Sequence, residues 1–66
     1  MSILDKDDLT EIVGGMLHSG ILPSEKLRNG LGIAYGNHDE VYDLIVILYC
    51  QKMGLDLDPY TGEKVN

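Results

Sequence analysis

An all-α fold is what this sequence predicts: a small three-helix unit with a short irregular or hairpin tail, completed by association with a further chain. Three observations carry that expectation. Apolar residues recur at helical spacing from Leu9 to Leu17. Each helical stretch opens on a capping residue and closes near a glycine. Between Asn37 and Gly54 lie seven consecutive apolar residues, Leu44 to Cys50, so a helix there is apolar on nearly every side. The 66 residues make one domain (1–66) with few elements to cover such a helix.

The first helix is expected at about 5–19. Leu9, Ile12, Val13, Met16 and Leu17 form one apolar face. Asp5 suits the N-cap, and Leu4 and Leu9 then take the two positions of a hydrophobic staple. Asp7, Asp8 and Glu11 put negative charge where the helix dipole favours it. Gly20 suits the left-handed residue after the helix, with His18 in the last turn and Pro23 soon after. Gly14 and Gly15 interrupt the pattern, each at about 1 kcal/mol relative to Ala. They are either a tolerated weakness or a place where another helix backbone comes close.

The second helix is expected at about 24–35. Ser24 caps it, and Leu27, Leu31, Ala34 and Tyr35 keep helical spacing, but Gly30 and Gly32 weaken it enough that it could end near Asn29. The third is expected at about 37–53. Val, Ile and Tyr also favour strands, but the span is too long for an ordinary strand. Asn37 and Glu40 make a cap pair, and Lys52 and Gly54 suit a helix end. Val41, Leu44, Ile45 and Leu48 form one stripe, Tyr42, Val46, Tyr49 and Met53 a second, with Ile47 and Cys50 between them. The tail, 54–66, contains Asp58-Pro59-Tyr60-Thr61-Gly62, which is turn chemistry. Leu55, Leu57 and Val65 around it suit a very small hairpin or a segment packed back on the helices.

Several sites of chemistry are disfavoured. Gly30, Gly32 and Gly36 follow Lys26 and Arg28, but no strand precedes them, no Gly-Lys-Ser/Thr is present, and Asp39 and Glu40 open the next helix. An EF-hand starting at Asp56 fails at its fifth and sixth positions, Tyr60 and Thr61. His38, Asp39 and Glu40 read as a helix start rather than a catalytic or metal set. Cys50 sits among apolar neighbours, unlike a reactive thiol, and as the single cysteine it allows neither an intrachain disulfide nor a thiolate-rich zinc site. The first two helices suggest a helix-turn-helix only in outline, since the second offers few base-reading side chains. No cofactor, metal or catalytic residue is expected, and the protein reads as non-enzymatic.

Eleven acidic and five basic residues give a net charge of −6. That charge disfavours nucleic acid and anionic membranes as partners. The longest apolar run is far short of the roughly 20 residues that cross a bilayer, and no signal peptide is visible. A lone cysteine within an apolar run suits a reducing compartment, so a soluble, cytoplasmic protein is expected.

Small chains of marginal stability lean on disulfides, metals or oligomerisation, and the third remains here. The candidate interface is Val41, Leu44, Ile45, Val46, Ile47, Leu48, Tyr49 and Met53, and a homodimer is the expected form. The leading functional expectation is an adaptor or inhibitor that binds another protein. Small acidic proteins of that kind are often encoded by phages or other mobile elements, which is background and not a property of these residues. A second is an oligomeric protein that sequesters a small ligand or nucleotide between subunits, near Lys26, Arg28 and Tyr35. A third is mimicry of nucleic acid by the acidic stretches from Asp5 to Glu11 and from Asp39 to Asp43.

Overall fold

The computed structural model describes residues 3–65. Met1, Ser2 and Asn66, the last residue of the expected tail, lie outside them. The three expected helices are present: α1 (Lys6–His18), α2 (Glu25–Tyr35) and α3 (His38–Met53). Each is preceded by the expected cap. Asp5 Oδ1 accepts from Asp8 N–H at 2.8 Å, Ser24 Oγ from Leu27 N–H at 3.2 Å, and Asn37 Oδ1 from Glu40 N–H at 3.1 Å. Each bond satisfies a donor that the helix itself leaves unpaired. Helix α2 runs unbroken through Gly30 and Gly32 to Tyr35.

The helix ends are also chemically defined. At α1, Gly20 takes φ 78°, its N–H donates to Leu17 O at 3.0 Å, and Ile21 N–H reaches back to Met16 O at 2.8 Å. That is the paired bonding of a Schellman motif. Gly36 (φ 92°) turns the chain from α2 into α3 with only Asn37 beside it. Inside that corner Gly32 is buried, and a Cβ there would collide with the His38 imidazole. Before α1, the N–H groups of Ile3 and Leu4 both donate to Ala34 O, at 2.7 and 3.1 Å, tying the start of the bundle to the end of α2.

Helix α3 is central: it packs on both α1 and α2, which touch each other less. Leu9, Val13 and Leu17 of α1 meet Leu31 of α2 and Val41 and Ile45 of α3 in one buried cluster. Pro23, in the α1–α2 link, is also fully buried. Ile12 and Met16 lie at the margin of the expected α1 face: Ile12 is 38 % exposed and Met16 half-buried. The radius of gyration, 11.4 Å, is close to the roughly 10.8 Å of a compact chain of this length.

The tail is a miniature hairpin that packs back on the helices. Asp58 Oδ1 accepts from the N–H groups of Tyr60 and Thr61 at 2.7 and 3.2 Å, and Gly62 N–H donates to Asp58 O at 2.8 Å. One antiparallel bridge joins Leu57 and Lys64, flanked by Asp58 N–H to Glu63 O and Val65 N–H to Asp56 O. Leu55 and Val65 remain about half exposed, so the tail is held by other residues.

Among the described residues nothing outside their own helix turn lies within 4 Å of where a Cβ would stand on Gly14 or Gly15. Gly15→Ala should therefore stabilise the chain by about 1 kcal/mol, raising the thermal midpoint by roughly 4–8 °C in a circular-dichroism melt. A lower midpoint would mean that a second chain's backbone lies against Gly15.

Candidate functional site

Arg28 projects from α2 onto two tyrosine rings. Its guanidinium lies 4.1 Å from the Tyr60 ring centroid and 5.0 Å from that of Tyr42. The two rings are 5.4 Å apart at 38°. Such contacts contribute about 0.5–1 kcal/mol each where exposed and more where water is excluded. Tyr60 Oη also donates to Pro23 O at 2.7 Å, Tyr42 Oη to Asp58 Oδ2 at 2.5 Å, and Cys50 Sγ to Leu57 O at 3.4 Å. One cation, two phenols, a carboxylate and a thiol thus fasten the tail to α2 and α3.

The titrations of this cluster follow from its geometry. Burial pushes the Asp58 carboxyl up, but the hydrogen bonds from Tyr42, Tyr60 and Thr61 and the nearby Arg28 outweigh it, so its pKa lies below the ordinary value. Donation to Asp58, helped by burial, raises the Tyr42 phenol. Burial raises Tyr60 against the opposing effect of Arg28.

Between α3 and the docked tail runs an open cleft of about 430 Å³. Tyr42, Asp43, Val46 and Ile47 form one wall, and Asp58, Thr61, Glu63, Lys64 and Val65 the other. Val46 is 6 % exposed, whereas Ile47 and Val65 stand about half in solvent. Asp43 and Glu63 are exposed on opposite walls.

A second apolar region lies at the far end of the bundle, where Ile21, Leu22, Tyr49 and Met53 surround a depression of about 220 Å³. Ile21 and Met53 are about half exposed. Lys52 is the charged residue at this depression, and its Nζ donates to Leu17 O at the end of α1. A cation there complements the helix C-terminus.

The expected interface residues separate into three groups. Val41, Ile45 and Val46, expected at an interface, are buried within the single chain, Val41 and Ile45 among residues of α1 and α2 and Val46 beside the tail. Leu44, Leu48 and Tyr49 are half-buried against the core. Ile47 and Met53 remain open. The expected ligand set is not brought together. Arg28 is engaged by the tail, and the Tyr35 hydroxyl donates to Glu40 Oε2 at 2.6 Å, which raises its pKa. Lys26 is exposed, roughly 200° around the helix from Arg28. Sequence reasoning missed Tyr60 and Asp58 as the tail's anchors. The available signal was the lone aromatic ring within the Asp58–Gly62 turn.

Among the described residues, no group of three or more His, Cys, Asp or Glu side chains converges as metal ligands. Nor is any helix among them long and apolar enough to cross a membrane. Comparison with known proteins finds no family that matches the chain, no characterised protein similar to it in sequence and no solved structure similar to it in fold.

The tail should stay docked in a defined pH window. Asp58 has a depressed folded pKa, so its contribution is present above about pH 4 and is lost as the pH falls through the folded value. Tyr42 and Tyr60 have raised values, so theirs is present below about pH 10 and is lost as the pH rises further. The amide resonances of Tyr60 and Thr61 should move toward random-coil positions on both sides of the window. Tyr60→Phe keeps the ring but leaves Pro23 O without its donor, and should cost about 1 kcal/mol in denaturant unfolding. Arg28→Ala should release the tail amides while leaving those of α1 in place.

Proposed function

We propose that this chain is a non-enzymatic interaction module that binds another protein, as an adaptor or inhibitor, and associates with a second copy of itself through the C-terminal end of α3. The observation that supports this reading is the distribution of half-exposed apolar side chains around α3. Ile21, Leu22, Tyr49 and Met53 cluster at one end, and Ile47 stands beside the tail. Contiguous apolar surface on a small domain marks contact sites.

Charge favours the Met53 end for the proposed self-contact. Two copies carry a charge of −6 each, so they meet best where carboxylates are absent. Among the described residues no carboxylate lines the depression around Met53, whereas Asp43, Asp58 and Glu63 line the cleft beside Ile47. Stable dimers bury about 800 Å² per partner, and this patch offers four side chains. Association is therefore expected in the micromolar range. The half-buried thiol of Cys50 fits a reducing compartment, and the cytoplasm is the proposed location.

Sedimentation velocity across micromolar concentrations should show the 7.3 kDa chain passing into a species of twice that mass. Met53→Lys should keep it monomeric with an unchanged helical spectrum. A wild-type chain that stays monomeric at high micromolar concentration would remove the self-association part of the proposal.

A further inference from the structure

We propose that the cleft between α3 and the tail docks a basic, apolar segment of a partner protein: an extended stretch of chain with Lys or Arg on one side and an aliphatic side chain on the other. This rests on the reading of the chain as an interaction module and specifies the partner's chemistry.

The floor of the cleft is apolar. Val46 closes its base, and Ile47 and Val65 project from opposite walls, each about half in solvent. An aliphatic side chain inserted between them removes both from water, which favours binding. The cleft is bounded by two separate elements, so an occupant is held on two sides. The depression on α1 around Leu4, Asp8, Glu11 and Ile12 is also acidic and apolar, but it lies along one helix and its lead-in residue.

The charged side is the rim. Three carboxylates and one ammonium line the cleft, a local charge of −2. The Asp58 oxygens already accept from Tyr42, Tyr60 and Thr61. Asp43 and Glu63 are exposed on facing walls, where each can pair with a cation entering from solvent. The net charge of −6 attracts cationic segments and, at the carboxylate-lined cleft, repels acidic chains, a second copy included. Phosphate-bearing partners are repelled on the same ground.

The probe is a peptide of about ten alternating Lys and Leu residues, with Lys/Ser and Glu/Leu peptides of equal length as controls. Binding is followed in amide correlation spectra at low and high salt. The Lys/Leu peptide should shift the amides of Asp43 to Ile47 and Thr61 to Val65, more weakly at high salt. Asp43→Lys combined with Glu63→Lys should weaken binding at least about tenfold. The charge-matched pair Asp7→Lys and Glu11→Lys on α1 should leave affinity within about twofold, because screening limits its reach. All four positions are exposed, and the spectra report directly whether each variant folds.

Shifts centred on α1, an equal loss in the α1 variant, or equal binding of either control peptide would each overturn the proposal. Binding by a chain that sediments as a monomer would keep the cleft assignment and remove self-association alone. A dimer through Met53 that ignores the peptide would do the reverse.

Discussion

A helix that is apolar on nearly every side needs more cover than two helices provide, and the Arg28 clamp supplies the remainder. Val41 and Ile45 pack with Leu9, Val13 and Leu31, whereas Val46 lines the cleft between α3 and the docked tail. The tail covers that side of α3 only while Tyr60 lies on Arg28 and Tyr42. The cleft, the facing carboxylates and the half-exposed Ile47 and Val65 all exist because the tail is fastened there. The partners of the clamp come from α2, α3, the tail and the α1–α2 link, so it joins parts of the chain that no local rule brings together.

Much of the helical framework was legible in the sequence because it is set by short-range chemistry. Asp5, Ser24 and Asn37 are caps wherever they precede a helical pattern, and Gly20, Gly36 and Gly54 end helices because their backbone is left-handed. The second helix was ambiguous because the cost of Gly30 and Gly32 is visible in the sequence while its compensation is not: Gly32 permits the close packing of the α2–α3 corner under His38. The clamp was illegible for a different reason. Arg28 and Tyr60 are distant in the chain, and neither belongs to a repeating pattern. The apolar run from Leu44 to Cys50 indicated burial but not what would bury it. Three of the eight residues assigned to an interface are core: Val41 and Ile45 pack with α1 and α2, and Val46 lies beside the docked tail.

Charge is distributed unevenly over the finished surface, and the two open apolar regions differ accordingly. The end near Met53 carries Lys52, whose ammonium is directed back onto a helix terminus. The cleft near Ile47 is rimmed by carboxylates. Similar aliphatic side chains thus sit in opposite electrostatic settings on one small molecule. Burial drives association at both, while charge selects which partner each accepts.

The aromatic content of the chain has a spectroscopic consequence. It contains four tyrosines and neither tryptophan nor phenylalanine, and two of the four form the clamp. Near-ultraviolet dichroism and intrinsic emission therefore weight the tail's attachment heavily, while far-ultraviolet dichroism reports the helices. The two optical windows observe largely separate parts of the fold. Coincident transitions in both would mark a tail that unfolds with the bundle as one cooperative unit, and an earlier near-ultraviolet transition would mark a tail that opens while the helices persist.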